Sequence, residues 1–194
     1  YDIKTIDLTT KEIKTYENLE VPNTFVSPYL QNNSHYVIGK YGDYYYMIYT
    51  SQNTNLPGII KSNDLVHWGN VGTMQATGEC AIKVIKNNLY FVSINSGTWL
   101  WSDESMNFSK VKVNNTDALA MGEFNDNFIC ITLDRTILKS TNNDFSDNQY
   151  YGVCYNLYNL SFGMDGNYGC IAGGCGNYDE IYGTSVSYTH LTLP

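Results

Sequence analysis

The sequence predicts an all-β protein, an incomplete β-propeller of three to four blades, each a four-stranded antiparallel meander. Three observations predict this class. A tight turn followed by an apolar strand recurs along the chain, a polar motif recurs at the same interval, and no segment keeps the 3.6-residue periodicity of an amphipathic helix. Tyrosine and glycine are abundant, with 18 and 16 residues, whereas charged residues make up only 15%. This balance is typical of aromatic strands joined by polar turns.

The first recurring element is a two- or three-residue turn rich in Gly, Asn and Asp, followed by a strand with an aromatic residue near its start. Such a pair is the signature of a β-hairpin. Four aromatic residues are predicted to be equivalent, and they follow one another at intervals of about 40 residues, which is the length of a propeller blade. They are Tyr45, Tyr90, Phe128 and Tyr168.

The second element begins with serine, carries Asp or Asn, and ends in an aromatic residue. It occurs in residues 62–68, 102–108 and 140–145, each time after a short apolar strand. Serine and aspartate side chains accept backbone N–H groups across a turn, and the aromatic ring folds back onto the sheet. The residues predicted to act structurally are Ser62, Asp64, Trp68, Ser102, Asp103, Phe108, Ser140 and Phe145.

We expect a single partial propeller over residues 1–185. The chain begins at Tyr1 without an initiator Met, so we expect a processed or cut start. Residues 186–194 resemble the translation of a transposase sequencing adapter, which indicates a non-native C-terminal scar on a metagenomic fragment. The predicted repeats cover about residues 36–74, 81–113, 119–153 and 160–185.

Charge and cysteine usage exclude several classes of partner. The formal net charge is −8 and no run of Lys or Arg occurs, so nucleic acid and membrane surfaces are poor partners. No apolar stretch approaches the roughly 20 residues of a membrane helix. The five cysteines form no CxxC pair and have no histidine at ligand spacing. We therefore predict no metal site and no cofactor.

The three polar motifs resemble the Asp-box (BNR) repeat, roughly Ser-x-Asp-x-Gly-x-x-Trp, of sialidase-like propellers and of phage tail and adhesive proteins. Residues 62–68 also resemble the Ser-x-Asp-Leu-Val-x-Trp segment of five-bladed glycosidases that act on arabinosides, xylosides and fructosides. The motifs depart from the repeat, because all three lack its glycine and the third lacks Asp at the expected place. The resemblance implies a propeller in which these turns are structural and lie away from the central site.

Glu79 is the candidate catalytic residue. Residues 77–81 and 86–91 resemble the general-acid segment of the five-bladed glycosidases, which implies a general-acid role for Glu79, although Cys80-Ala81 replaces Gly-Pro. The alternative is a surface carboxylate, because no Asp stands where that family has its base, and glycoside hydrolysis needs two carboxyl groups. A sialidase would need an arginine cluster, and Arg135 is the only arginine.

Aromatic side chains are the candidate substrate-binding groups. A tyrosine or tryptophan ring offers a flat apolar face that stacks on a sugar, together with a polar atom. Every second residue of a strand points inward, so packing in the core is the alternative for each ring. The predicted substrate-binding residues are Tyr44, Tyr46, Trp99 and Trp101.

The sequence therefore predicts a glycan-recognition or adhesive propeller module of a phage tail or a secreted bacterial protein, extracellular or virion-associated, with glycans as partners and no complete catalytic set. The alternative is a glycoside hydrolase, sialidase-like or five-bladed, with an incomplete active site. A purely structural domain of a larger assembly is a third interpretation.

Overall fold

The structure is a computed structural model. It describes residues 2–28, 38–52, 56–77, 80–93, 96–124, 126–153, 161–165, 168–175 and 178–185, with side chains described up to residue 153 except at 26–28 and 124. These residues form strands and turns, and none of them lies in a helix, so no helix of this part of the chain spans a membrane. Every pair of neighbouring strands in its sheets is antiparallel.

The N-terminal residues form a hairpin and the first sheet. The hairpin strands are β1 (Ile3–Ile6) and β2 (Ile13–Tyr16). The strands of the first sheet are β3 (Phe25–Pro28), β4 (Ile38–Tyr41), β5 (Tyr44–Ser51), β6 (Pro57–Ser62) and β7 (Gly69–Thr73). Because β3 and β4 pair with opposite halves of β5, this sheet is a meander whose first position is shared by two segments.

Three further meanders follow in chain order. The second sheet contains β8 (Cys80–Ile85), β9 (Asn88–Ser93), β10 (Gly97–Ser102) and β11 (Asn107–Lys110). The third contains β12 (Lys112–Val113), β13 (Thr116–Phe124), β14 (Asn127–Thr132), β15 (Thr136–Ser140) and β16 (Gln149–Val153). The fourth contains β17 (Ser161–Asp165), β18 (Tyr168–Cys175) and β19 (Tyr178–Ser185).

Both faces of the first three sheets carry buried residues, which explains why their central strands are continuous apolar runs. In β5, Tyr46 and Ile48 pack against the second sheet, whereas Met47 and Tyr49 pack in a separate cluster that includes residues of the N-terminal hairpin. The two clusters follow from strand geometry, because successive side chains point to opposite faces. Each sheet therefore needs a neighbour on either side.

Strands of successive meanders approach one another. Strands β4 and β5 contact β8, strands β9 and β10 contact β13, and β13 contacts β17. Gly39 of β4 permits the closest approach, since a Cβ atom at this position would come within 2.6 Å of Ile82 Cγ2 in β8. Successive antiparallel meanders packed against one another in chain order are the blades of a propeller. The predicted all-β propeller class is confirmed.

The predicted equivalence of four aromatic residues is correct for only two of them. All four hairpins close on two-residue turns, so positions can be counted from the turn. Tyr45 and Phe128 are both second residues of their strands, Tyr90 is the third and Tyr168 is the first. A shift of one residue turns a side chain to the other face. Tyr90 accordingly faces the third sheet, where its ring meets Phe128 at a centroid distance of 6.4 Å.

The first polar turn, residues 62–68, is closed by its own side chains. Ser62 Oγ accepts the N–H groups of Asp64 and Leu65 at 3.2 and 2.9 Å. Asp64 Oδ1 accepts two further backbone N–H groups at 2.8 Å each. Trp68 donates its indole N–H to Leu65 O at 3.2 Å and is buried beneath the turn. The serine, the aspartate and the tryptophan thus act structurally here.

The second polar turn uses its residues differently. Ser102 Oγ accepts the N–H of Ser105 at 3.2 Å. Asp103 accepts the indole N–H of Trp101 at 2.7 Å in place of backbone groups across the turn. Phe108 is half-buried and its ring lies 5.0 Å from that of Trp101. The turn is therefore held by an aromatic pair as much as by polar capping.

In the third polar turn, the capping carboxylate comes from an aspartate that lies after the motif. Asp147 accepts the N–H of Thr141 at 3.1 Å and the hydroxyl protons of Thr141 and Ser140. Ser140 Oγ also accepts the N–H of Asn142 at 2.9 Å. Phe145 is buried beneath the turn, in the core between the second and third sheets. Asp147 thus supplies the carboxylate that the motif lacks at its usual place.

The segment before β3 is attached to the first polar turn. Glu20 donates its N–H to Val66 O and accepts the N–H of Trp68, both at 2.8 Å. His67 Nδ1 lies 2.6 Å from Asp64 Oδ2, and its Nε2 lies 3.7 Å from a Glu20 carboxylate oxygen. The hydrogen bond to Asp64 raises the pKa of His67, and the same bond lowers the pKa of Asp64.

We expect Trp68→Ala to lower the free energy of unfolding by about 3 kcal/mol or more, because it removes a buried indole and leaves a cavity. Phe108→Ala is the matched control, since this aromatic ends the second turn but is only half-buried, and its expected cost is about 1.5 kcal/mol. Urea unfolding of both variants checks the prediction. Equal losses would contradict the assigned difference in burial.

We expect His67 to make stability depend on pH above neutrality. A group whose pKa is raised on folding contributes stability below its unfolded pKa of about 6.5, and this contribution is lost as the pH rises through the folded value. Between pH 6 and pH 8 the wild type should therefore lose stability relative to His67→Gln. Urea unfolding across this range measures the difference, and parallel pH curves for the two proteins would rule out the effect.

Candidate functional site

One end of the second sheet carries an ordered polar loop. Ser93 donates its hydroxyl proton to Thr77 O at 2.9 Å, and Ser96 Oγ accepts the N–H of Thr77 at 3.0 Å. These bonds hold the segment that leads into β8 against the turn between β9 and β10. Glu79, the predicted general acid, lies outside the described residues.

Beside this loop, Trp99 and Lys110 of the second sheet form a group with Asp117 of the third, and the indole also packs against the core between the first and second sheets. Trp99 and Lys110 are opposite one another in the β10–β11 pair, and the lysine amine lies 5.5 Å from the centre of the indole. The same amine lies 2.5 Å from Asp117 Oδ2. Phe91 supports the indole from the core in an edge-on contact at 5.4 Å. All three groups are partly exposed.

Gly97 leaves the space that this group occupies. Its φ of 105° is unfavourable for any residue with a side chain, and a Cβ atom here would stand 3.0 Å from Lys110 Cε and 3.5 Å from Asp117 Cβ. The glycine thus lets the lysine cross from β11 to the start of β13. The result is an indole, an ammonium group and a carboxylate held together at the surface, a combination that can bind an uncharged polar molecule with one flat apolar face.

The four predicted substrate-binding aromatic residues fall into two pairs. Tyr44 is 40% exposed, with Lys61 Nζ 4.7 Å from its ring centre, and Trp99 is the partly exposed residue described above. Tyr46 and Trp101 are buried between the first and second sheets with ring centroids 5.7 Å apart. Neither buried ring has a face open to a ligand, so these two residues serve packing and not substrate binding.

Asp103 joins the first and second sheets. It accepts the hydroxyl proton of Tyr41 at 3.1 Å through one oxygen and the indole N–H of Trp101 through the other. Burial, together with this carboxylate, raises the pKa of Tyr41, and burial is the main cause that raises the pKa of Tyr46 to about 12. Both phenols therefore stay protonated near neutral pH and act as hydrogen-bond or packing groups rather than as bases.

Lys83 is a notable residue that the sequence reasoning missed. It lies in the middle of β8, whose other side chains are apolar, and it is half-buried on the face toward the third sheet. Its amine donates to Met121 O in β13 at 3.4 Å, and burial lowers its pKa. A lone lysine inside an otherwise apolar six-residue strand was the available signal.

Metal binding and thiol chemistry find no support in the described side chains. No cluster of three His, Cys, Asp or Glu side chains among them has the geometry of a metal site. Cys130 is buried in the core between the second and third sheets, and burial raises the pKa of its thiol to about 12. A thiol in this state is unreactive near neutral pH.

Comparison with known proteins bears on the fold. No family model matches the chain, and no curated protein matches it. Among solved structures it resembles YCF48 from Cyanidioschyzon merolae, with a TM-score of 0.50 and 14% identity over 90% of this chain and 60% of that one. It is also similar to a GH43 β-1,3-galactosidase, with a TM-score of 0.43 and 14% identity over 84% and 47% of the two chains. The chain thus spans less than two thirds of either structure. The likeness to YCF48 concerns the fold alone and agrees with the meanders described above, and the chain has a β-propeller fold.

Proposed function

We propose that this chain is a glycan-recognition module built on a β-propeller. The observation that carries the proposal is the group of Trp99, Lys110 and Asp117 at the end of the second sheet. Its indole is fixed from behind by Phe91, and its amine and carboxylate orient one another at 2.5 Å. The three groups are thus held in place before a ligand arrives, which lowers the entropic cost of binding.

The chemistry of this group fits a sugar. The apolar face of a pyranose stacks on an aromatic ring, while its hydroxyl groups both donate and accept hydrogen bonds. Asp117 supplies an acceptor, and the ammonium group of Lys110 has donors beyond the one directed at Asp117. Nucleic acid fits poorly, because the net charge of −8 repels phosphate.

The wider role is part of the same proposal. The hydrogen bonds of Ser62 and Asp64 and the burial of Trp68 support assignment of the first turn to the Asp-box type, and Asp147 supports it for the third. We place the module in an adhesive protein of a phage tail or a secreted bacterial protein, outside the cell. Tyr44 offers a second exposed aromatic face.

We expect Trp99→Ala to weaken glycan binding roughly tenfold, the loss that corresponds to one aromatic stacking contact. Tyr151→Ala is the matched control, since Tyr151 is also an exposed ring beneath a lysine, with Lys139 Nζ 5.7 Å from its centre, but it lies on the outer strand β16. An oligosaccharide array followed by calorimetry on the best ligand measures both. Equal losses in the two variants, or no glycan bound at all, would refute the proposal.

A second assay of the same protein tests the enzymatic alternative, a glycoside hydrolase. Chromogenic glycosides are incubated with the wild type and with Glu79→Gln, and we expect no turnover by either protein. Hydrolysis by the wild type that vanishes in Glu79→Gln would replace the recognition module by a glycoside hydrolase, because a general acid cannot be substituted by an amide.

A further inference from the structure

The environment of Lys83 differs from that of the other lysines with described contacts. Lys11 also donates to one carbonyl, that of Leu8, but it is exposed. Lys110 is paired with Asp117, and Lys40, Lys61, Lys86 and Lys139 lie over aromatic rings at 4.7–5.7 Å from the ring centres. Lys83 has neither kind of partner within the described part of the chain. The one hydrogen bond of its amine is to the carbonyl of Met121, at the long distance of 3.4 Å.

Lys83 is half-buried, and the hydrogen bonding of its ammonium group is incomplete, since one long bond is described for it. Lysine carries three N–H donors, and burial without a counterion or full hydrogen bonding is costly. No carboxylate of the described side chains lies within 4.0 Å of this amine. Tyr90, directly opposite in the β8–β9 pair, offers no negative charge, since burial raises the pKa of its phenol well above the usual value.

Lys83 lies between two strands that each have an unpaired edge among the described residues. In this part of the chain β8 pairs only with β9, and β13 pairs with β12 only at Lys112–Val113, so the described length of β13 beyond Asp117 has one edge without a partner strand. The amine bridges from β8 to β13 across this region. A small anion that enters there would complete the hydrogen bonding of the amine.

We infer that Lys83 is the binding residue of a subsite for an anionic group, such as the carboxylate of an acidic sugar, between strands β8 and β13. This inference rests on the proposed function in one respect, namely that the anion is carried by a glycan. The lowered pKa of Lys83 agrees with it, since an anion beside the amine favours the charged form and raises the pKa again. A free anion shares this chemistry, so the two sources have to be separated by experiment.

The test is NMR spectroscopy of the full chain labelled with ¹³C at the lysine ε carbons, with the Lys83 signal assigned by its loss in Lys83→Met. Glucuronic acid, its neutral methyl ester and inorganic phosphate are titrated in turn. We expect glucuronic acid to shift the Lys83 signal and raise its apparent pKa by about 1, and the ester to leave it unchanged. Lys86 is the matched control, because its amine also donates to a backbone carbonyl, that of Asp126, and its signal should not move.

The outcomes identify the source of the anion and separate the anion subsite from the proposed glycan-recognition function. A response to glucuronic acid but not to phosphate supports a sugar carboxylate, and a response to both supports a subsite for anions in general. A Lys83 signal that none of the anions moves, or one that moves no more than that of Lys86, overturns the inference. Trp99→Ala should leave the phosphate response intact. A wild type that binds no glycan but keeps the phosphate response therefore counts against the proposed function and not against the anion subsite.

Discussion

The burial of both faces of successive sheets is the constraint on which the rest of this structure depends. In β9, Leu89 and Phe91 pack toward the first sheet while Tyr90 and Val92 pack toward the third. A sheet that is apolar on both faces cannot be stable alone in water, so its stability comes from the interfaces with its neighbours. The close contacts between β4 and β8, and between β13 and β17, follow from this packing.

The same constraint decides which aromatic residues are free for function. Residues 44–46 and 99–101 are aromatic or apolar throughout, and alternation alone leaves open which face of such a run meets solvent. In the folded chain Tyr46 and Trp101 meet in the interface between two sheets, whereas Tyr44, at the start of its strand, and Trp99, in the middle of its strand, keep part of their surface exposed. Trp99 packs against the core between the first and second sheets and still keeps part of its surface exposed.

The sequence was sufficient for the class of fold and for the chemistry of the first polar turn, because hairpin turns, strand periodicity and the bonding of Ser62 and Asp64 are local. It was insufficient where a shift of one residue along a strand changes the face on which a side chain lies. Aligning aromatic residues instead of turns displaced Tyr90 by one position and so onto the other face. The link between Lys110 and Asp117 was also out of reach, because it joins two different sheets and leaves no periodic signal.

The placement of the cations connects the fold to the proposed function. An acidic chain has few positive groups, and most of the lysines with described contacts are committed to an aromatic ring or to a carboxylate. Such pairing stabilises these charges at the surface at little cost. Lys83 differs from these lysines, because it is half-buried in an apolar strand and the one described hydrogen bond of its amine is to a backbone carbonyl. An apolar residue of similar length would suit the core better, and this mismatch is the reason to seek a ligand for the Lys83 amine.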